Sequence, residues 1–241
     1  IGDSCEDRYF YGDVKRLNPE APVPILEYRR GVTSKGMVWN VRENLRSFGV
    51  EVYTSTHPEE IIKTRFIDEK SNQQILRSDE EPKITPISFE FPDEWKSTYD
   101  ALVISDYDKG FITQEKLFEL SNWFQGPVFI DTKKTCIPGN AFIKVNESEF
   151  KKITHFIPDN MIITKGGEGT EYQGKLYPAQ KVNVFDVVGA GDTFLAALTY
   201  GYIKYGRIDK AIPLANRAAA VAVSHRGTYV LTEEDVKKIL Y

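Results

Sequence analysis

The residues from Phe185 to Phe194 read Phe-Asp-Val-Val-Gly-Ala-Gly-Asp-Thr-Phe and run into the apolar stretch Leu195–Tyr200. A Gly-Ala-Gly turn that opens a helix leaves several backbone N–H groups without intrahelical partners. They converge on one point, where the helix dipole also favours negative charge. Such a cradle suits a phosphoryl group in transit. Asp192 stands at the start of the same helix. A carboxylate there would repel an anion that was merely bound. It has a use as the base that takes a proton from an attacking hydroxyl while Gly189, Ala190 and Gly191 hold the phosphoryl oxygens. The plainer alternative is a tight strand-to-helix turn with an acidic first-turn residue, which the dipole by itself favours.

The elements that must position this turn have an α/β rhythm. Ala101–Ser105, Pro127–Ile130, Ala141–Val145 and Met161–Thr164 are short apolar runs of the kind that form buried parallel strands. Helical segments are expected between them, from Thr113 to Phe124 and from Glu147 to Phe156, the first capped by Thr113. Helices are also expected over Val38–Gly49, Asp192–Tyr205 and Ile208–Ser224, with Gly49 ending the first and Pro213 tolerated near the start of the last. Strand–helix alternation implies a parallel sheet covered on both faces. The strands end in Asp106, Asp131, Asn146 and Lys165. Ligands of open α/β sheets lie beyond the carboxyl ends of the strands. Each polar residue alone reads as a solvated strand end; together with the Gly-Ala-Gly turn they mark one shared site.

The first third differs. Arg8–Tyr11, Val23–Tyr28, Thr64–Asp68 and Gln73–Arg77 read as short, partly polar strands separated by turns at Asn18-Pro19-Glu20 and Glu69–Asn72. Strands that cannot bury both faces make a small one-sided sheet, expected here as a β lid over about 8–28 and 64–78 of a single domain spanning 1–241. An exposed sheet edge needs covering, and a two-fold dimer is the common solution.

With 241 residues, 41% hydrophobic and 27% charged, the chain suits one sizeable soluble core. A net charge of −4 argues against a general nucleic-acid or membrane-surface binder. Cys5 and Cys136 read as free thiols, and neither they nor His57, His155 and His225 have zinc-ligand spacing. No secretion signal or membrane-spanning run is visible, so a cytoplasmic location is expected. A dinucleotide-binding fold is excluded by Ser4-Cys5 where Gly-x-Gly-x-x-Gly would follow the first strand.

The stretch Asp186–Asp192, with the small residues Ala196-Ala197 after it, resembles the C-terminal signature of the ribokinase superfamily, the PfkB carbohydrate kinases. Within that family, the bacterial D-glycero-D-manno-heptose 7-phosphate kinases are the most similar group. The residues that carry this are Gly2-Asp3, Asp7–Gly12, Asn18–Pro24, Asn72-Gln73-Gln74, Ser105-Asp106-Tyr107, Lys109-Gly110, Asn146 and Ser148–Phe150. The resemblance implies a ribokinase-like three-layer fold and an ATP- and Mg²⁺-dependent kinase acting on a small-molecule sugar or sugar phosphate. It implies Asp192 as base, with the cradle of Gly189, Ala190 and Gly191. Asp3, Gly36, Asn40 and Lys109 would lie at the sugar. Asn146 and Glu149 would lie at the nucleotide phosphates, with Glu149 reaching the metal through water. Thr164, Lys165, Gly166, Gly169, Asn216 and Gly227 would border the nucleotide.

For a phosphorylated sugar, Arg16, Lys35, Arg65 and Lys109 are the candidate counter-charges, each of which also reads as a plain surface cation. Three departures stand out. Lys35-Gly36 replaces the family's glycine pair. Arg42, Glu43 and Arg46 follow Asn40 where small or apolar residues are usual. A strand-and-helix unit is missing between Val52 and Ile61. The departures keep a second possibility open, a kinase-fold protein that binds nucleotide or sugar without turnover.

Overall fold

The computed structural model describes every residue except Phe89 and 155–157. The chain divides into two compact units, one of Ser4–Gly36 and Pro58–Lys83, the other of Ile1–Asp3, Met37–His57 and Ile84–Tyr241.

The smaller unit is a four-stranded sheet in the order β2-β1-β3-β4. Its strands are β1 (Ser4–Leu17), β2 (Pro24–Met37), β3 (Ile62–Asp68) and β4 (Gln73–Glu80). β1 and β3 run parallel, from Glu6 opposite Ile62 to Gly12 opposite Asp68, and β4 pairs antiparallel with β3. Strands β1 and β2 are far longer than the four- and six-residue runs expected from their apolar residues. In β1, polar residues on the solvated face continue the alternation that a hydrophobicity pattern alone would end, whereas β2 is exposed throughout residues 27–33. Along β1, Cys5, Asp7, Tyr9 and Tyr11 are buried in alternation with half-buried Glu6, Arg8 and Phe10.

Asp7 is tolerated there because buried Arg65 of β3 meets it at 2.5 Å, with the guanidinium also 5.2 Å from the Tyr9 ring. Arg65 is therefore spent on an internal pair, which corrects the expectation that it serves as a counter-charge for substrate. Asp68 stitches the Glu69–Asn72 turn by accepting from the amides of Val14 and Ser71.

The larger unit holds a six-stranded sheet in the order β10-β9-β8-β7-β6-β5. Its strands are β5 (Leu102–Asp106), β6 (Val128–Thr132), β7 (Phe142–Asn146), β8 (Met161–Thr164), β9 (Gly169–Tyr172) and β10 (Lys175–Pro178). β5 to β8 are parallel; β9 and β10 add antiparallel. Gly2 makes a parallel bridge to Ser105, bringing Asp3 to the carboxyl end of β5. Neighbouring residues of a strand face opposite sides. Phe129 and Ile130 are both fully buried, so the sheet is covered on both faces.

The helices of this unit are α1 (Val38–Ser47), α2 (Trp95–Thr98), α3 (Gln114–Trp123), α4 (Glu147–Phe150), α5 (Ala190–Tyr205), α6 (Ile208–Val223) and α7 (Glu233–Leu240). Thr113 caps α3 by accepting from the Lys116 amide, as its sequence implies. Gly49, at φ 81, lies just past the end of α1 and donates to Arg46 O. α5 and α6 approach closely, since a Cβ on Gly201 would lie 3.0 Å from Ala211. The helix expected from Glu147 to Phe156 is a single turn. The amide of Thr154 bonds Thr135 O instead of continuing it, and Phe156 lies outside the described residues. A cavity of about 790 Å³, lined by Val41, Leu45, Tyr53, Trp95, Trp123 and Tyr200, lies beside residues 50–54.

Candidate active site

The site grows from the N-terminus of α5. Gly189 precedes the helix at φ 76, and a Cβ there would fall 2.6 Å from Asn40 Nδ2. A Cβ on Gly191 would lie 2.8 Å from Lys144 Nζ. Gly189 is required by its positive φ, while a side chain at Gly191 would push the Lys144 ammonium aside. The Ala190 amide is turned to Val187 O at 3.3 Å, so Ala190 contributes less to the cradle than its position in the sequence suggests.

Asp192, in the first turn of α5, is 2% exposed. Its Oδ1 accepts the Tyr107 hydroxyl at 2.9 Å, and its Oδ2 accepts Asn40 Nδ2 at 3.2 Å. Burial, with a smaller push from Asp131, raises its pKa from the ordinary 3.8 to about 7, against the opposing pull of Asn40, Tyr107 and Lys144. The orientation of Asn40 is fixed by Asn44, which donates to both the side-chain and backbone oxygens of Asn40. Asn44 itself is held by the Leu231 amide.

Lys144 on β7 and Asp131 on β6 form a buried ion pair at 2.6 Å across adjacent parallel strands. Burial opposes the charge on Lys144, but Asp131, Glu149 and Asp192 together hold its pKa above the ordinary value, so the ammonium stays protonated at neutral pH. Asp3 is fully buried, and its Oδ2 accepts the backbone amides of Tyr107 (2.7 Å) and Lys109 (3.2 Å). Its Oδ1 finds no partner among the described residues, a costly state for a buried carboxylate that a ligand hydroxyl would relieve. Asp106 is buried nearby and held by Thr132 and Lys134.

The structure therefore brings Asp3, Asn40, Gly189, Gly191 and Asp192 into one site of the larger unit. Lys109 contributes through its backbone amide. Gly36 belongs to the other unit, where a Cβ would lie 2.3 Å from Asp7 Oδ2. Asn146 and Glu149 form a capping box on α4: Asn146 Oδ1 accepts the Glu149 amide, and Glu149 Oε2 accepts the Asn146 amide. Thr164 bonds Val145 O, and Lys165 pairs with Glu171 at 2.5 Å. Gly166 and Gly169 shape the β8–β9 connection with positive φ, and a Cβ on Gly169 would collide with Tyr177 O. Gly227 is tied to Asp186 Oδ2 at 2.9 Å.

Asn216 is buried, with its amide spent on Thr170, Tyr177 and Pro178. The expectation that Asn216 borders the nucleotide therefore rests on its place in α6 and not on its side-chain amide. Sequence reasoning missed Tyr107 and Lys144 as site residues. Lys144 sits inside an apolar run, where only its interruption of Phe-Ile-x-Val signals it.

Residues 119–235 match the family model described as pfkB family carbohydrate kinase. The bifunctional protein HldE of a Nitratiruptor species is 30% identical over 293 positions, covering 99% of this chain and 63% of the relative. HldE of Helicobacter pylori is 28% identical, covering all of this chain and 65% of the relative. The chain thus spans less than two thirds of these relatives' length, and their alignments include positions with no counterpart here. Among solved structures, phosphofructokinase-2 of Escherichia coli in complex with potassium superposes with a TM-score of 0.70 at 16% identity, covering 99% of this chain and 97% of that one. Ribokinase of Thermotoga maritima gives 0.69 at 16% identity, covering 99% and 98%. The fold is ribokinase-like.

Proposed function

We propose that this chain, which carries a domain of the PfkB carbohydrate kinase family, is an ATP-dependent kinase that phosphorylates a hydroxyl of a sugar or sugar phosphate. The observation that carries this is Asp192, a buried carboxyl with a pKa of about 7 set against a glycine turn and flanked by a buried lysine. A base poised near neutral pH is matched to proton abstraction from a hydroxyl. A fixed cation and helix-terminal amides are matched to charge on a transferring phosphoryl group.

In this scheme the sugar hydroxyl gives its proton to Asp192 and its oxygen bonds the γ-phosphorus. The bond from that phosphorus to the bridging oxygen breaks and ADP leaves. Lys144 neutralises the equatorial oxygens, and Asp3 Oδ1 accepts from a second sugar hydroxyl. Asn40 orients the base. Thr164–Gly169 and Gly227 border the nucleotide.

Among the described residues no three His, Cys, Asp or Glu side chains cluster as a metal cage. A lone carboxylate at Glu149 fits Mg²⁺, which takes one or two carboxylates and completes its shell with phosphate and water. When bound, the ion would neutralise the nucleotide phosphates.

The favoured substrate is a heptose 7-phosphate or a related sugar, supported by the run Asp7–Pro24 and by the HldE relatives. The role of the four-stranded sheet as lid and as homodimer interface belongs to the same proposal, as does a cytoplasmic location. No helix among the described residues is long and apolar enough to cross a membrane. The positions absent relative to HldE favour one alternative, binding without turnover.

ADP release with ATP, Mg²⁺ and heptose 7-phosphate, ribose or fructose, run beside a thermal-shift screen of the same ligands, separates the two. The kinase reading predicts turnover strongest with the heptose phosphate. Stabilisation by ligand, about 2.7 kcal/mol at 100 times Kd, with no turnover on any sugar would favour the alternative.

A further inference from the structure

We propose that Tyr107 is a positioning residue for phosphoryl transfer, a bracket whose backbone and side chain fix the sugar-hydroxyl acceptor and the base in one register. The inference rests on the kinase reading for its consequence, but the geometry is independent of it. Tyr107 follows the last residue of β5, where the chain leaves the sheet at its carboxyl edge. Its amide donates to Asp3 Oδ2 at 2.7 Å, and its hydroxyl donates to Asp192 Oδ1 at 2.9 Å. One residue thus spans the two carboxylates, which lie far apart in the sequence. The ring is itself held, with Lys133 Nζ 4.7 Å from its centroid.

The two contacts on Asp192 are unequal. Asn40 Nδ2 donates to Asp192 Oδ2 and to Gly189 O, each at 3.2 Å, the long end of the hydrogen-bond range. The Tyr107 bond is shorter, at 2.9 Å. A substrate hydroxyl arriving at Oδ2 displaces the Asn40 amide at little cost, while Tyr107 keeps Oδ1 and with it the plane of the carboxylate. Holding the base in a near-attack orientation is where a positioning residue gains rate.

The Tyr107 hydroxyl also favours the ionised form of Asp192. The other groups that bear on this carboxyl are Asn40 of α1, Asp131 of β6 and Lys144 of β7. None of these is altered by removing one oxygen from Tyr107.

The test is Tyr107→Phe, read two ways. In the ligand-free protein, the Asp192 side-chain carboxyl carbon is followed by NMR against pH. In the enzyme, initial rates with ATP, Mg²⁺ and heptose 7-phosphate are followed from pH 5.5 to 9. Loss of a hydrogen bond to a charged group should move the Asp192 midpoint upward by about one unit. The acid limb of kcat should move with it, and KM for ATP should stay unchanged.

In the wild-type protein the Tyr107 ring carbon bearing oxygen should titrate with the Asp192 midpoint, a readout that needs no variant. An unmoved Asp192 midpoint, or a Tyr107 signal blind to that titration, overturns the inference whatever the kinase does. Activity surviving in Asp192→Asn would overturn the base assignment instead and leave the carboxyl titration standing, so the two failures are distinguishable.

Discussion

Replacing Lys144 by Met should destabilise the larger unit strongly, and adding Asp131→Asn should restore much of what is lost. The side chains of Lys144 and Asp131 are 7% and 14% exposed and meet at 2.6 Å. Breaking a buried pair by removing one partner leaves an uncompensated charge, at a cost of about 3–5 kcal/mol. For a chain of this size each kcal/mol is worth about 2–4 °C, so the single variant should melt about 6–20 °C below wild type. Neutralising both members removes the stranded charge, and such replacements are often near neutral. The double variant should therefore melt closer to wild type than the single one, a non-additivity expected of groups in direct contact. It should still fail in phosphoryl transfer, because the cation beside Gly191 is gone. Thermal melts of wild type, both single variants and the double variant form the assay, with ADP release measured on each. A Lys144→Met protein as stable as wild type, or a double variant no better than the single, would refute the buried-pair reasoning.

Asp192 should also cost stability at neutral pH. Its folded pKa of about 7 lies above the ordinary 3.8, so folding favours its protonated form. That contribution is fully present below about pH 4 and is lost as pH rises toward 7. The advantage of Asp192→Asn over wild type in melting should therefore grow between pH 5 and pH 8, by about 2–3 kcal/mol; an advantage that shrank with pH would contradict the raised pKa. Gly189→Ala forces a side chain into positive φ and against Asn40 Nδ2, so it should lose at least about 1 kcal/mol of stability together with kcat, and a fully active, fully stable variant would show that the turn tolerates a side chain. Glu149→Ala should remove half of the α4 capping box, costing about 1 kcal/mol, and raise the Mg²⁺ concentration needed for half-maximal rate. A magnesium titration that matches wild type would leave Glu149 a cap and nothing more.

The elements legible from sequence were those whose local signals agree with their packing. The apolar runs of β5 to β8, the Thr113 cap and the Gly-Ala-Gly turn all fall where periodicity and turn chemistry put them. Strand β1 outran its apolar residues because one of its faces is solvated, and β2 because most of its length is exposed. Asn146-x-x-Glu149 carries a helix-capping signature, and the structure uses it as one, beside whatever it does for a ligand. Lys144 and Tyr107 were hidden for a different reason. Their roles depend on partners about 13 and 85 positions away, Asp131 and Asp192, and no local pattern encodes such a juxtaposition. Arg65 is the converse case: a distant internal partner, Asp7, consumes it.

The central claim is that Asp192 removes the proton from the accepting hydroxyl. It is tested most directly by single-turnover phosphoryl transfer from ATP to heptose 7-phosphate in Asp192→Asn, with ATP affinity measured on the same preparation. The expected result is a loss of about 10²–10⁴ in the transfer step with ATP affinity unchanged; transfer at the wild-type rate would contradict it.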